Sequence, residues 1–136
     1  MMKFLDELKK LNLPKNLYVI FGSGPLAIRN IRTNHDIDVL VTKSLWDLLA
    51  FEYEITSKPE RPDSIYIGNL QFLQYDYKDW SPAINDPMLL LSDYEEINGY
   101  PFVKLEYLLE CKKQMIGKKH HEDVKIIEAM LVEGRK

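Results

Sequence analysis

The sequence predicts an α+β fold with a helical C-terminal third. Short apolar runs rich in β-branched and aromatic residues, LYVIF (17–21) and DIDVLV (36–41), have strand character. Stretches with apolar residues three and four apart, such as KSLWDLLAFE (43–52) and the segments after residue 103, have helix character. Glycine-centred turn signals at 22–24, 68–69 and 98–99 punctuate the alternation.

Each element follows from its own residues. Phe4, Leu5, Leu8 and Leu11 recur at helical spacing, and Pro14 ends that first helix. Leu17 to Phe21 then form a central strand, and Gly22, Ser23 and Gly24 turn the chain. Pro25 suits the first position of a helix over 25–31, whose inner face carries Ala27, Ile28 and Ile31. DIDVLV is the next strand. Thr42 or Ser44 caps the helix that follows, with Leu45, Leu48 and Leu49 as its apolar stripe. SKPERPD is a turn-rich link, and SIYIGNLQFLQYDY reads as one or two strands broken at Gly68-Asn69. Asp86-Pro87 opens a short helix, and EEINGYPFV is a hairpin across Asn98-Gly99. Two helices, VKLEYLLECKKQM and HHEDVKIIEAMLVEG, complete the chain around a break at Gly117. There is no repeat, low-complexity tract or linker, so residues 1–136 read as a single domain.

The composition narrows the function classes. With 46% hydrophobic residues in 136, the chain can bury a core of its own. A net charge of −3 with scattered basic residues gives no footprint for duplex nucleic acid. The N-terminus does not resemble a signal peptide and no stretch approaches a membrane span, which points to the cytoplasm. Cys111 is the single cysteine; it excludes an internal disulfide and reads as a small buried hydrophobe rather than a nucleophile.

The chemistry concentrates at Asp36 and Asp38. Strand alternation puts both on one face, with Ile37 and Val39 on the other. Two like charges about 4 Å apart repel by roughly 4 kcal/mol at an effective dielectric near 20. A divalent cation removes that repulsion, and Mg²⁺ (or Mn²⁺) accepts one or two carboxylates together with phosphate oxygens. The turn at Gly22 and Ser23 supplies backbone N–H groups, and the missing Cβ of glycine lets phosphate approach them. Together these parts make a site for metal-assisted phosphoryl or nucleotidyl transfer.

Hydrophobic strand, Gly22-Ser23, helix and Asp36-Ile37-Asp38, in that order, resemble the nucleotidyltransferase superfamily of DNA polymerase β and the aminoglycoside nucleotidyltransferases. The chain looks most similar to the small bacterial members, some of which are partners in toxin–antitoxin systems. Those proteins often carry an arginine four residues before the first aspartate and a Thr, Ser or Asn two before it; Arg32 and Asn34 stand there. LEYLLECKK (105–113) and KHHEDV (119–124) match their C-terminal helices. The resemblance implies a mixed β-sheet flanked by helices, with Asp36 and Asp38 as catalytic metal ligands. It also implies a nucleoside triphosphate held by Gly22, Ser23, Arg29 and Arg32, and transfer of its nucleotide to an acceptor hydroxyl. Arg29 and Arg32 have equally ordinary roles as surface cations, Arg32 as an ion-pair partner of Asp36.

Active members add a third carboxylate on a later strand, inside a Gly-Asn-hydrophobic-acid-hydrophobic segment. Here that segment is Gly68-Asn69-Leu70-Gln71-Phe72, with Gln71 at the acidic position. Asp76 is the substitute if the strand is registered differently, with Asp79 or Asp63 as further options. Asp76 lies an odd number of residues from Gln71 and so falls on the opposite face in a regular strand. The alternative to an enzyme is therefore a nucleotide-binding or partner-binding relic of the same fold. A partner protein, a second copy or the C-terminal helices would complete the acceptor site. His120 and His121 are neighbours on a helix, about 100° apart, and make a poor metal pair; His35 faces away from the aspartates. Tyr66, Phe72, Tyr75 and Tyr77 fill the sheet, and any that is exposed could stack on a base.

Overall fold

A computed structural model describes residues 2–59, 63–74, 88–113 and 118–134. Among them the chain forms a seven-stranded mixed sheet and six α-helices. The elements run α1 (Leu5–Leu11), β1 (Tyr18–Phe21), α2 (Gly24–Ala27), β2 (Ile37–Val41), α3 (Lys43–Glu52), β3 (Ile55–Thr56), β4 (Ser64–Ile67), β5 (Leu70–Gln74), α4 (Met88–Ser92), β6 (Tyr94–Ile97), β7 (Tyr100–Val103), α5 (Leu105–Lys113) and α6 (Lys118–Gly134). No helix among the described residues is long and apolar enough to cross a membrane.

The strand order is β3-β4-β5-β2-β1-β7-β6. β1 and β2 are antiparallel neighbours at the centre, β5 runs parallel to β2, and β7 runs parallel to β1. The hairpins β4–β5 and β6–β7 turn at Gly68-Asn69 and Asn98-Gly99, as the turn signals predict. Central strands covered on both faces read as unbroken apolar runs, which explains Tyr18-Val19-Ile20 and Val39-Leu40-Val41.

Alternation then assigns the faces. Ile20, Ile37, Val39, Val41, Phe72 and Phe102 bury against Leu8 of α1 and Leu45, Trp46 and Leu49 of α3. Val19, Leu40, Leu73 and Val103 bury on the other side against Leu26, Leu90, Leu91, Leu108, Leu109 and Ile127. Asp38 and Gln71 share the parity of Leu40 and Leu73, so they belong to the second face.

Several elements depart from the sequence reading. The helix expected over 25–31 ends at Ala27, and its polypeptide continues as turns through Asn30, whose φ is +61°. Leu48 is not part of the inner stripe of α3: it is 66% exposed, and Trp46 is buried instead, because the helix docks through the 45/46/49 ridge. Thr42, not Ser44, is the cap of α3; its side chain accepts from the Leu45 N–H at 3.3 Å. Leu17 closes a short 3₁₀ turn rather than opening β1, and Asp36 lies one residue before β2. The Gly117 break, Asp86-Pro87, Tyr75 and Tyr77 lie outside the described residues.

Asn34 fixes the approach to β2. It is fully buried, accepts from the Lys3 N–H at 2.8 Å, and donates to the carbonyls of Lys3 (2.9 Å) and Asp36 (3.1 Å). An amide with those three bonds splices the N-terminal segment onto the loop that carries Asp36. Asn34→Ala removes all three and leaves the part-buried backbone groups of Lys3 and Asp36 without these partners, at a cost of about 1–2 kcal/mol. Urea denaturation of the two proteins measures it; an unchanged midpoint would show that the splice is dispensable.

Candidate functional site

β1 ends where the site begins. Phe21 pairs with Asp38 across the antiparallel ladder, and Asp38 pairs with Gln71 across the parallel one. The residue after Phe21 is Gly22, with φ +65°, a conformation that L side chains rarely adopt. A Cβ built there would overlap Oδ2 of Asp38 and come within 3.2 Å of its Cγ. Gly22 is thus glycine for two reasons, backbone angle and the carboxylate lying against it. Gly24 leaves room for Ile20 below, so the two glycines of the turn serve the site and the core respectively.

Ser23 precedes α2 in the α-helical region and makes no side-chain cap. The first bonds of α2 run from Ala27 to Ser23 and from Ile28 to Gly24, so the N–H groups of Ser23, Gly24 and Leu26 are not used by the helix itself. Asp36 and Asp38 are both half-buried, on one parity around the start of β2.

Gln71 of β5 stands directly beside Asp38. Its Nε2 donates to Ser64 Oγ at 3.0 Å, with Ser64 buried, which turns Oε1 into the acceptor end of the amide. Tyr66 is the direct partner of Gln71 on β4 and is 48% exposed on the same face; Phe72 is fully buried. Asp63 is exposed and accepts from Ser57 Oγ at 2.8 Å. Asp76 and Asp79 lie outside the described residues. Among the described residues no group of three or more His, Cys, Asp or Glu side chains is arranged to hold a metal ion.

Both arginines are committed to carboxylates. Arg29 donates to the Pro25 carbonyl at 2.6 Å and to Glu95, tying α2 to β6. Arg32 does not pair with Asp36: its Nε donates to Asp123 Oδ1 at 2.6 Å and its NH2 group to Glu122 at 3.2 Å. Asp123 also meets Lys112 Nζ at 3.1 Å. Its carboxylate side chain is 2% exposed and that of Lys112 5%, so Arg32, Asp123 and Lys112 form a largely buried triad. Burial alone pushes the Asp123 carboxyl upward, but the hydrogen bonds from Arg32 and Lys112 outweigh it and hold the group below the ordinary carboxylate value.

The sequence contained a signal for this triad. Asp123 shares a helix face with the core residue Ile127 four positions on, and Lys112 shares one with Leu108. Opposite charges on the inward faces of adjacent helices require each other. Cys111 is half-buried and its thiol is pushed up to about 11, chiefly by burial, with Glu110 reinforcing and Lys112 opposing; it stays protonated at neutral pH. His35 and His121 are exposed. No protein-family model and no curated protein sequence matches the chain.

Two outcomes test this geometry. Asp123→Asn strands the Lys112 charge and lowers stability by about 3–5 kcal/mol at pH 7. Because the folded carboxyl titrates below its unfolded value of about 3.9, the triad contributes fully above that value. The gap between the two proteins therefore closes as pH falls through the folded pKa; denaturation at pH 7 and pH 3 compares them, and a constant gap would refute the linkage. Gly22→Ala must displace either the turn or the Asp38 carboxylate, costing about 1–2 kcal/mol by the same measurement.

Proposed function

We propose that this protein is a metal-dependent nucleotidyltransferase-type domain that binds a nucleoside triphosphate and transfers its nucleotide to an acceptor hydroxyl. The observation that carries the reading is the packing of the Gly22 backbone against Asp38, with Asp36 on the same parity and the half-buried Ser23 next along the turn. Two carboxylates suit Mg²⁺ or Mn²⁺ when phosphate oxygens complete the shell, so metal and triphosphate bind as a unit. The metal neutralises the phosphates and polarises the α-phosphoryl group when bound.

In this reading Asp36 and Asp38 hold the cation, and the Gly22-Ser23 turn orients phosphate oxygens through its N–H groups. α2 spans only Gly24–Ala27, so local N–H donation rather than a long helix dipole is the attraction. Tyr66, exposed on the same face, offers a stacking surface for the base. The acceptor hydroxyl comes from a partner protein, a second copy or a small molecule.

Gln71 favours a second reading. An amide oxygen can serve as a neutral ligand but cannot take the acceptor's proton at neutral pH. Unless Asp76 does so, the domain binds Mg²⁺–triphosphate and transfers slowly or not at all, acting as a nucleotide-binding relic that engages a partner.

Calorimetric titration of ATP with and without Mg²⁺ tests the binding half. Affinity should rise at least tenfold with Mg²⁺, about 1.4 kcal/mol, and the increment should vanish in the double variant Asp36→Asn, Asp38→Asn. Equal affinity in both conditions would end the nucleotidyltransferase reading. Transfer from α-labelled ATP, CTP, GTP and UTP to protein and aminoglycoside acceptors tests the other half. If Gln71 marks a missing base, Gln71→Glu raises the rate by about 10²–10⁴; if Asp76 is the base, Gln71→Glu changes little and Asp76→Asn abolishes transfer. No transfer from any of these proteins leaves the relic reading.

A further inference from the structure

On the sheet face opposite Asp38, where α1 ends, the chain encloses an open cleft of about 280 Å³. Leu8, Leu13 and Tyr100 wall it, Asn12, Asn98 and Lys9 stand around it, and Tyr18 lines it from the first position of β1. Tyr18 and Tyr100 begin parallel neighbouring strands, which sets the two rings side by side. Tyr100 Oη donates to the Leu5 carbonyl at 3.5 Å. Tyr18 is only 5% exposed as a residue, and its hydroxyl has no hydrogen-bond partner among the described residues. Because Tyr18 lines an open cleft, its hydroxyl is available to water or to a ligand rather than to the protein.

We propose that this cleft binds a small organic carboxylate with an aromatic or apolar body, the Tyr18 hydroxyl and the Lys9 ammonium receiving the carboxylate. Burial, reinforced by the neighbouring Tyr100 and Tyr94, pushes the Tyr18 phenol up to about 12, so at neutral pH the hydroxyl keeps its proton and can donate it to a carboxylate. Lys15, the other lysine at the cleft, is engaged with Glu96 at 2.9 Å, whereas Lys9 makes no ion pair among the described residues. One uncommitted cation matches a monoanion better than a phosphate dianion. Leu8, Leu13 and the Tyr100 ring give the body of the ligand an apolar wall, the usual division between fit and orientation in small-molecule sites. The volume lies just under the roughly 300–1,000 Å³ of drug-sized sites, so the ligand is a small one. None of this depends on the nucleotide site, which lies on the other face of the sheet.

Benzoate is a suitable probe, with acetate, inorganic phosphate and benzamide as comparators. Titrated into ¹⁵N-labelled full-length protein, benzoate should produce saturable shifts of the Asn12, Asn98, Gly99 and Tyr100 amides. Acetate, phosphate and neutral benzamide should bind at least fivefold more weakly. Tyr18→Phe should weaken benzoate at least fivefold while leaving the melting temperature unchanged or higher, because the hydroxyl it removes has no partner. Lys9→Gln, at an exposed position, should weaken benzoate but not benzamide. The proposal is overturned if benzoate gives no saturable shifts, or if phosphate binds as well as benzoate. It is equally overturned if Tyr18→Phe binds benzoate normally, or if that variant melts several degrees lower, since the hydroxyl would then be internally bonded.

Discussion

The structure hangs on one buried ion pair. Asp123 is 1% exposed on α6, and an ionised carboxylate at that depth is tolerable only with matched cations. Arg32 reaches it from the loop before β2 and Lys112 from α5. Lys112 is itself 4% exposed, so neither partner can be withdrawn without stranding the other. The consequence is positional. The two C-terminal helices are locked to a loop whose next residues are Asn34, Asp36 and Asp38. Asn34 ties that loop to the N-terminal segment at Lys3, so both ends of the chain grip it. A loop with a buried amide on one side and a buried ion triad on the other has little freedom to move its two aspartates.

That rigidity bears on Gln71, the neighbour of Asp38 on β5. A third carboxylate beside Asp38 would add another repulsion of about 4 kcal/mol at 4 Å in the absence of metal. Gln71 avoids it, and its bond to Ser64 Oγ satisfies the amide within the sheet. The metal-free state is correspondingly easier to fold, while a cation at the proposed site would have two carboxylates and not three. An amide rather than an acid beside Asp38 therefore relieves the fold, and it would weaken cation binding at the proposed site for the same electrostatic reason.

The fold was legible wherever local signals and burial agreed. The apolar runs, the two hairpin turns and the cap before α3 carried enough information to place β1, β2, β4 to β7 and α3. What failed was set by partners distant in sequence. Leu48 has the spacing of a core residue, but docking through Leu45, Trp46 and Leu49 turns it outward. The helix after Gly24 stops at Ala27 although Ile28 and Ile31 keep the period, because the chain must turn to bring Arg32 to Asp123 and Asn34 to Lys3. At the site, the shared parity of Asp36 and Asp38 and the turn at Gly22 were legible because alternation and turn chemistry are short-range rules, whereas the pairing of Asp38 with Gln71 joins strands far apart in sequence. The fate of Arg29 and Arg32 was not, since Glu95 and Asp123 lie 66 and 91 residues further along the chain.

Those two ion pairs also shape how the proposed nucleotide site must work. Arginine is the usual bidentate partner of phosphate, yet both arginines nearest the Gly22-Ser23 turn already hold carboxylates. Releasing Arg32 to a triphosphate would leave Asp123 and Lys112 to rearrange in a buried setting, a cost of several kcal/mol. Arg29 is less deeply fixed, its partner Glu95 being 42% exposed, but it also anchors the Pro25 carbonyl of α2. The counter-charge for a triphosphate at this site therefore falls to the divalent cation and to backbone N–H groups, with little help from side chains. A site built that way has weak affinity for free nucleotide and a steep dependence on metal, because the two aspartates repel the phosphates until a cation stands between them.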